Sequence, residues 1–159
     1  MKIRMNCQMV HQDPYDSINP RMKVKDIVSE PLEIHNVSDG QEREKIVLNA
    51  LREVKLEPAK EIANKYPHML SGGQRQRVVL ARALVLRPKI IIADEPVSML
   101  DVSIRAEILE LMKDIQKKNK ISFIYITHDL ATARYFGQEI IILYLGKIME
   151  SGSINQVLL

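Results

Sequence analysis

The sequence is poor in cysteine and has no long apolar run. Its single cysteine, Cys7, cannot form an internal disulfide, and no Cys/His cluster has metal-ligand spacing, so a reducing compartment such as the cytoplasm is predicted. The longest apolar runs, near Ile90–Ala93 and Ile140–Leu145, are far shorter than the roughly 20 residues that a membrane-spanning helix requires. No signal peptide opens the chain. Any role at a membrane is therefore expected to be peripheral.

A strong excess of charge of one sign is also lacking. The chain has 23 Lys and Arg residues against 20 Asp and Glu residues, a formal net charge of +3. These charges are interspersed, so they give no nucleic-acid footprint, and no nucleic-acid partner is expected. A chain of 159 residues with 46% hydrophobic residues is long enough to bury one core.

What is present is a change of pattern along the chain. The first ten residues alternate loosely and predict a short strand, with Ile3, Met5, Cys7 and Met9 on one side and Cys7 in the core. Between residues 13 and 69 the pattern is helical, with predicted helices Val24–His35 (broken at Pro31), Gly40–Val54 and Ala59–Lys65. After residue 69, helices alternate with strands: helices Gly73–Leu86, Val102–Lys118 and Leu130–Phe136, strands Lys89–Ala93, Ile121–Thr127 and Glu139–Leu145, and a last short strand ending near Gly152.

This order of elements predicts an α/β fold, a parallel sheet with crossover helices, plus an all-helical insert. Because Ile90–Ala93 and Ile121–Ile126 are apolar, both strands are expected to be covered on both faces.

The segment Leu70–Gln74 opens one of these helices with two glycines. Within Ser71, Gly72, Gly73 and Gln74, the two glycines leave backbone N–H groups uncovered where the helix dipole is positive, which is typical of a phosphate site. The alternative is an ordinary serine N-cap followed by a glycine turn. The residues by themselves leave both interpretations open.

Two carboxylates follow the buried strand at Ile90–Ala93. Asp94 could hold Mg²⁺ through a hard oxygen, and Glu95 could orient or deprotonate an attacking water. The strand's carboxyl end is the edge at which open α/β sheets bind ligands. Alternatively, the pair only caps the next helix.

Three further polar residues are expected near the same edge. Asp101 lies in the loop after Glu95, His128 follows the next strand and Gln12 follows the first strand. A single histidine at a strand end, such as His128, is more often a structural hydrogen-bonding residue than a catalytic one. Considered alone, Gln12 has an even weaker case for a functional role. His11, His35 and His68 have no motif context and are interpreted as surface or loop residues.

Taken in order, these motifs resemble the ABC ATPase family over essentially the whole chain. The resemblance implies a partial P-loop NTPase core in which Gln12 is the Q-loop, Leu70–Gln74 the signature and Asp94 with Glu95 the Walker B motif. It also implies that Asp101 is the D-loop and His128 the switch histidine. ATP and Mg²⁺ would be the cofactors. By the resemblance, Glu95, His128 and Gln12 are catalytic, Asp94 and Gln12 hold the metal, and Ser71–Gln74 with Asp101 contact the nucleotide.

Some segments are most similar to the oligopeptide and dipeptide importers of this family: Gln12-Asp13-Pro14-Tyr15, Ile18-Asn19-Pro20, Ser29-Glu30-Pro31-Leu32 and Tyr66-Pro67-His68. The implied function is ATP hydrolysis that drives peptide uptake. The implied partners are a second ATPase subunit, paired head to tail, and transmembrane permease subunits, with the chain peripheral on the inner face of the cell membrane. The expected divisions are 1–12 (first strand and Q-loop), 13–69 (helical subdomain) and 70–159 (signature helix and core).

The chain departs from the family in lacking Gly-x-x-x-x-Gly-Lys-Ser/Thr, the P-loop that wraps ATP phosphates. Its only Gly-Lys pair, Gly146-Lys147, is followed by Ile148, and Ile141 stands where the first glycine would be. A truncated gene product, a split gene or an expressed fragment is therefore expected, and the chain is expected to be inactive alone. Two other interpretations stay open: a soluble ABC ATPase of DNA repair or translation, and a non-enzymatic remnant that only pairs with an intact subunit.

Overall fold

The computed structural model describes residues 2–158; Met1 and Leu159, which belong to the predicted first and last segments, lie outside the described residues. The helices are α1 (Lys2–Asn6), α2 (Pro14–Ser17), α3 (Val24–Ile34), α4 (Gly40–Glu53), α5 (Ala59–Ala63), α6 (Gly72–Leu84), α7 (Val102–Asn119), α8 (Leu130–Phe136) and α9 (Ile154–Val157), with a 3₁₀ turn at Pro67–Met69. The strands are β1 (Cys7–Val10), β2 (Ile90–Asp94), β3 (Ser122–Ile126), β4 (Glu139–Tyr144) and β5 (Lys147–Ser153).

The central element is a parallel three-stranded sheet in the order β1-β2-β3. β2 lies in the middle, with Val10 beside Ala93 and Ala93 beside Tyr125. Helices α6 and α7 link the strands, as the crossover connections of a parallel sheet require. The predicted parallel sheet with crossover helices is confirmed.

One face of this sheet carries the core. Side chains of α3, α4, α6 and α7 join those of β1 and β2 in a single buried cluster, whose largest fully buried members include Leu32, Leu51, Leu80, Ile91, Ile108 and Leu111. Each buried Leu or Ile of this kind contributes about 2–5 kcal/mol of stability over alanine. The helical segment between β1 and α6 is therefore anchored to the same core as the sheet.

The opposite face of the sheet is open, which corrects the expectation of two fully covered strands. Ile90, Ile124 and Ile126 are exposed, and so is Met9 of β1. Successive residues of a strand point to opposite faces, and residues 2–158 place a helical layer on one face only. Cys7, on the open face, is half-buried rather than packed in the core.

β4 and β5 form a separate antiparallel hairpin, joined through Leu145 and Gly146, which both have positive φ. Hydrophobic residues of this hairpin are also exposed, among them Ile141 and Leu143. The predicted strands are present, but the hairpin does not extend the three-stranded sheet.

Two local predictions were wrong. Residues 2–6 are helical instead of extended, because the partner strand β2 begins only at Ile90 and offers Ile3 and Met5 nothing to pair with. Pro31 does not break α3, which continues to Ile34; Pro31 and Leu32 are buried, and this packing compensates for the missing backbone donor.

Candidate functional site

Four of the predicted site residues lie at the carboxyl edge of the parallel sheet. Gln12 follows β1, Asp94 ends β2, Glu95 comes next, and His128 lies two residues after β3. Because the strands are parallel and Asp94 pairs with Ile126, their carboxyl ends meet at one edge. The fold therefore brings these four residues to one edge of the sheet, and their role as a site stays a prediction.

Glu95 has a backbone conformation that an ordinary residue rarely adopts. Its φ is +47°, in the left-handed region. Its N–H donates to the carbonyl of Ile126 at 2.9 Å, and its own carbonyl accepts from both the N–H (3.2 Å) and the hydroxyl (3.0 Å) of Ser98. These three hydrogen bonds hold the strained residue, which turns its side chain toward the neighbouring strand end.

The Glu95 carboxylate contacts His128. Its Oε1 accepts a hydrogen bond from the backbone N–H of His128 at 3.0 Å, and Nδ1 of the His128 ring contacts the same oxygen. Since a carboxylate only accepts, Nδ1 carries the proton in this pair. The structure therefore brings together two of the residues that the sequence analysis predicts to be catalytic.

Asp94 and Gln12 share the edge without a comparable contact between them. Asp94 is half-buried at the end of β2, and Gln12 is exposed in the bend after β1. Across residues 2–158 no group of three His, Cys, Asp or Glu side chains could hold a metal ion. Asp94 thus offers one hard oxygen, and a bound Mg²⁺ would need further oxygens from outside this side-chain set.

The segment Ser71–Gln74 begins α6 with a capping box. The Ser71 hydroxyl accepts from the Gln74 N–H at 3.2 Å, and the Gln74 side-chain oxygen accepts from the Ser71 N–H at 3.0 Å. The serine is thus an N-cap, as the plainer of the two interpretations stated. The box engages the N–H groups of Ser71 and Gln74, whereas those of the two glycines lie in the first turn, where a helix has no internal acceptors.

Gly73 also has a packing role. A Cβ placed on it would lie 2.6 Å from Cγ2 of Ile104 in α7, whereas one on Gly72 would lie 3.6 Å from Leu100. Glycine at position 73 therefore allows the start of α6 to approach the start of α7. The signature segment and the loop that contains Asp101 are consequently neighbours.

Asp101 is the exposed N-cap position of α7, and its carbonyl accepts from the Arg105 N–H at 2.8 Å. Arg105 was missed by the sequence reasoning. Its guanidinium donates to the Leu100 carbonyl at 3.3 Å and lies 3.5 Å from the carboxylate of Asp129. It thus links the Asp101 loop to the His128 loop, and no sequence pattern reveals a contact between residues so far apart in the chain.

Tyr125 lies below this edge, on the covered face of β3. Burial raises the pKa of the Tyr125 phenol, and the negative charges of Glu95 and Asp129 raise it further; the nearby hydroxyls of Thr132 and Thr127 partly offset the increase. The phenol therefore stays protonated to higher pH than in an unfolded chain.

Three comparisons with known proteins identify the family that this chain is similar to. The sequence profile of a family described as ABC transporter matches residues 1–98. Among curated proteins, the di/tripeptide transport ATP-binding protein DppF of Pseudomonas aeruginosa (strain UCBPP-PA14) is 44% identical over 156 residues, which cover 98% of this chain and 48% of that protein. The chain spans about half the length of most of the curated relatives it matches.

Two solved structures share the fold. The structure of cbiO1 from Clostridium perfringens, described as part of the ABC transporter complex cbiONQ, matches with a TM-score of 0.87 and 31% identity, covering 99% of this chain and 61% of that one. The ATP-binding cassette MJ0796, as a dimer in a post-hydrolysis state bound to ADP and Pi, matches with a TM-score of 0.77 and 34% identity, covering 96% and 65%. Among residues 2–158, no helix is both long enough and apolar enough to cross a membrane.

Proposed function

This chain belongs to the ABC transporter family, and we propose from that premise that it supplies part of the ATP-hydrolysing machinery of a peptide importer. The observation that carries the proposal is the contact between Glu95 and His128 at the carboxyl edge of the sheet. A carboxylate held by an imidazole beside a ligand-binding edge is suited to positioning and deprotonating water. The names of the relatives, which are peptide transport proteins, support the transported class.

In this proposal each residue at the edge has a separate role. Glu95 accepts the proton of the attacking water, and His128 keeps the carboxylate oriented. Asp94 and the amide oxygen of Gln12 are oxygen ligands suited to Mg²⁺, which would arrive with the nucleotide and neutralise charge on its phosphates. Phosphoryl transfer of this kind depends on positioning and electrostatics more than on covalent chemistry.

The signature segment is proposed to act on a second nucleotide. The N–H groups of Gly72 and Gly73 at the start of α6, with the Ser71 hydroxyl, are suited to contact the phosphates of ATP held by another subunit. Asp101, in the loop packed beside this segment, would lie at the same junction. The dimeric state of the matched cassette supports pairing with a second subunit, for which we propose a head-to-tail arrangement.

These 159 residues contain no Gly-x-x-x-x-Gly-Lys-Ser/Thr segment, so most phosphate contacts must come from residues outside them. We therefore propose that the 159-residue chain by itself hydrolyses little ATP. The test uses the purified chain and a chimera in which the part of the Pseudomonas aeruginosa relative that precedes the matched stretch is joined to it. The chimera is expected to hydrolyse ATP with Mg²⁺ and the chain alone is not.

Two results would contradict this proposal. One is Mg²⁺-dependent hydrolysis by the chain alone that Glu95→Gln abolishes. The other is a folded chimera that binds ATP and has no turnover, which would favour the non-enzymatic remnant that only pairs with an intact subunit.

The helical segment between Gln12 and Ser71 is proposed to contact a transmembrane permease subunit at the inner face of the membrane. One end of this segment lies at the Glu95 edge and the other at the signature, so nucleotide binding could move it as a unit. A cleft of about 360 Å³ lies between β1, α3 and α6, and the exposed Ile34 is among its lining residues. This cleft is suited to bind side chains of a partner. A soluble ABC ATPase of DNA repair or translation would not need such a partner.

A further inference from the structure

Arg105 bridges two loops at the carboxyl edge of the sheet. It lies in the first turn of α7, and its guanidinium donates to the Leu100 carbonyl at 3.3 Å and to the Asp129 carboxylate at 3.5 Å. Asp129 comes directly after His128, whose ring contacts Glu95. A single side chain therefore connects the loop before α7 to the loop that carries His128.

The loop before α7 is itself packed against the signature segment. The Leu100 side chain lies beside Gly72, where an added Cβ would be 3.6 Å from it, and Ile104 of α7 lies against Gly73. Ile104 directly precedes Arg105 in the chain, so a movement of the signature segment would be passed to the guanidinium. The contacts form a continuous path from the start of α6 to the loop after β3.

The two oxygens of the Asp129 carboxylate have separate partners. Oδ1 accepts from the Ala131 N–H at 2.9 Å and caps α8, while Oδ2 faces Arg105. The backbone N–H of Asp129 donates to the Thr127 hydroxyl at 3.1 Å. These local hydrogen bonds shape the loop without Arg105. The guanidinium therefore fixes the position of the loop relative to α7 rather than its conformation.

Both contacts of the Arg105 guanidinium are long. Hydrogen bonds from N–H to oxygen are usually about 2.9–3.0 Å, and those between charged groups are shorter still. The Arg105 Nε is buried and has no hydrogen-bond partner within residues 2–158, an arrangement that lowers stability. The side chain thus adds little to the stability of this state, and both of its contacts have room to shorten.

We propose that Arg105 is a positioning residue that acts through Asp129 on the Glu95–His128 pair. In the nucleotide-bound state both contacts of the guanidinium shorten, and the loop that carries His128 is held where its ring orients the Glu95 carboxylate. Catalytic hydrogen bonds are often long before substrate binds and tighten in the reactive complex. The inference rests on the proposed function and adds to it a residue that sets the rate from outside the reacting atoms.

Turnover of the chimera that carries the preceding part of the relative tests this role. Arg105→Ala is expected to lower kcat about tenfold and to leave the dissociation constant of ATP within about twofold, because the guanidinium contacts the loop and not the nucleotide. Arg105→Lys should recover at least about threefold of the lost rate, since an ammonium can still pair with Asp129. Each rate is measured well below the unfolding temperature of the variant.

Arg134→Ala is the matched control. Arg134 is an exposed arginine of α8, and no ion pair of its side chain is found in the part of the chain that the structure describes. Its substitution removes the same charge near the same edge without touching the link. Both kcat and the affinity for ATP should stay within about twofold of the unmodified chimera.

Asp129→Asn separates the ion pair from the helix cap. An asparagine oxygen can still accept from the Ala131 N–H, while the charge that faces Arg105 is lost. Asp129→Asn should lower kcat about as much as Arg105→Ala does. The double variant should be no slower than the slower single variant, because both substitutions remove the same link.

A measurement on the chain without ATP follows the same link. The His128 N–H donates to Oε1 of Glu95 at 3.0 Å, so hydrogen exchange at this amide reports how closely the two residues are held. Arg105→Ala should speed this exchange about threefold or more, and Arg134→Ala should leave it unchanged.

Three results with an active unmodified chimera would overturn the inference. The first is an unchanged kcat in Arg105→Ala. The second is an equal loss of kcat in Arg134→Ala. The third is a double variant whose loss is the product of the two single losses, which would mean that Arg105 and Asp129 act separately. A folded unmodified chimera that binds ATP without turnover would instead refute the proposed function, and the inference with it.

Discussion

The Oε1 atom of Glu95 contacts both the backbone N–H and the ring Nδ1 of His128, so two strand ends are joined through one carboxylate oxygen. The two side chains differ in exposure: that of Glu95 is 16% exposed and that of His128 is 81% exposed. The carboxylate is therefore held in the protein while the imidazole lies in solvent. Rotation of the ring alone would release one of the two contacts without moving either strand.

This relationship leads to a prediction about the chemical step. In the chimera that carries the preceding part of the relative, Glu95→Gln should lower the rate of ATP hydrolysis about 10²- to 10⁴-fold, because the general base is lost. His128→Ala should also lower it within that range, because the carboxylate loses its ring partner. ATP binding by Glu95→Gln should be retained, as measured with a fluorescent nucleotide.

Leu130→Ala is the control for this prediction. Leu130 is exposed, opens the short helix α8 and makes no polar side-chain contact. The rate of ATP hydrolysis by the Leu130→Ala chimera should stay within about twofold of the rate of the unmodified chimera. A change of less than about threefold for both Glu95→Gln and His128→Ala would refute the assignment of these residues to catalysis.

The second prediction concerns Gly73. Gly73→Ala should lower the free energy of unfolding by about 1–3 kcal/mol, because the new methyl group would overlap Cγ2 of Ile104. Gly72→Ala should be neutral or slightly stabilising, since its Cβ has room and alanine favours the helix. Urea unfolding of the chain measures both, and adding Ile104→Ala should reduce the difference between them. Equal stability of the two glycine variants would contradict the packing role.

The third prediction tests the docking of the helical segment. Single cysteines at the exposed positions Asp39 and Glu42 should crosslink to the permease subunit in native vesicles. Glu53 of the same segment is unsuitable for this test, because it is half-buried and its carboxylate accepts a hydrogen bond from Asn119 of α7 at 2.6 Å. Lys117 of α7 is exposed and serves as the comparison position. Crosslinking at Lys117 with none at Asp39 or Glu42 would locate the contact surface elsewhere.

The fourth prediction is a pH dependence. The folded protein has a raised Tyr125 pKa, mainly because of burial, so the folded state binds that proton more tightly than the unfolded state does. Stability should therefore fall as the pH rises above about 10, where the unfolded phenol loses its proton first. Tyr125→Phe should make this fall less steep, and Tyr144→Phe, at an exposed position, should not. Urea unfolding between pH 9 and 11 compares the three proteins, and identical slopes would refute the prediction.

Much of the fold could be predicted because its patterns are local. The helices at Gly40–Glu53 and Val102–Asn119 follow from the spacing of apolar residues, and the strand Ile90–Asp94 follows from its run of isoleucines. Residues 2–6 could not be predicted, because their alternation indicates a strand only if a partner strand lies beside them. The predicted helix break at Pro31 was wrong for a similar reason, since packing in three dimensions outweighed the local preference of proline.

The sequence alone identifies which residues stand at the ends of the strands, because the strand pattern and the carboxylates that follow it are adjacent in the chain. It thus placed Asp94, Glu95 and His128 at one edge. Three features arise only when the chain folds: Glu95 and His128 meet through one carboxylate oxygen, Gly73 is required beside Ile104, and one sheet face is open. These depend on strand register, on a left-handed φ at Glu95 and on which surfaces meet, none of which is a property of neighbouring residues.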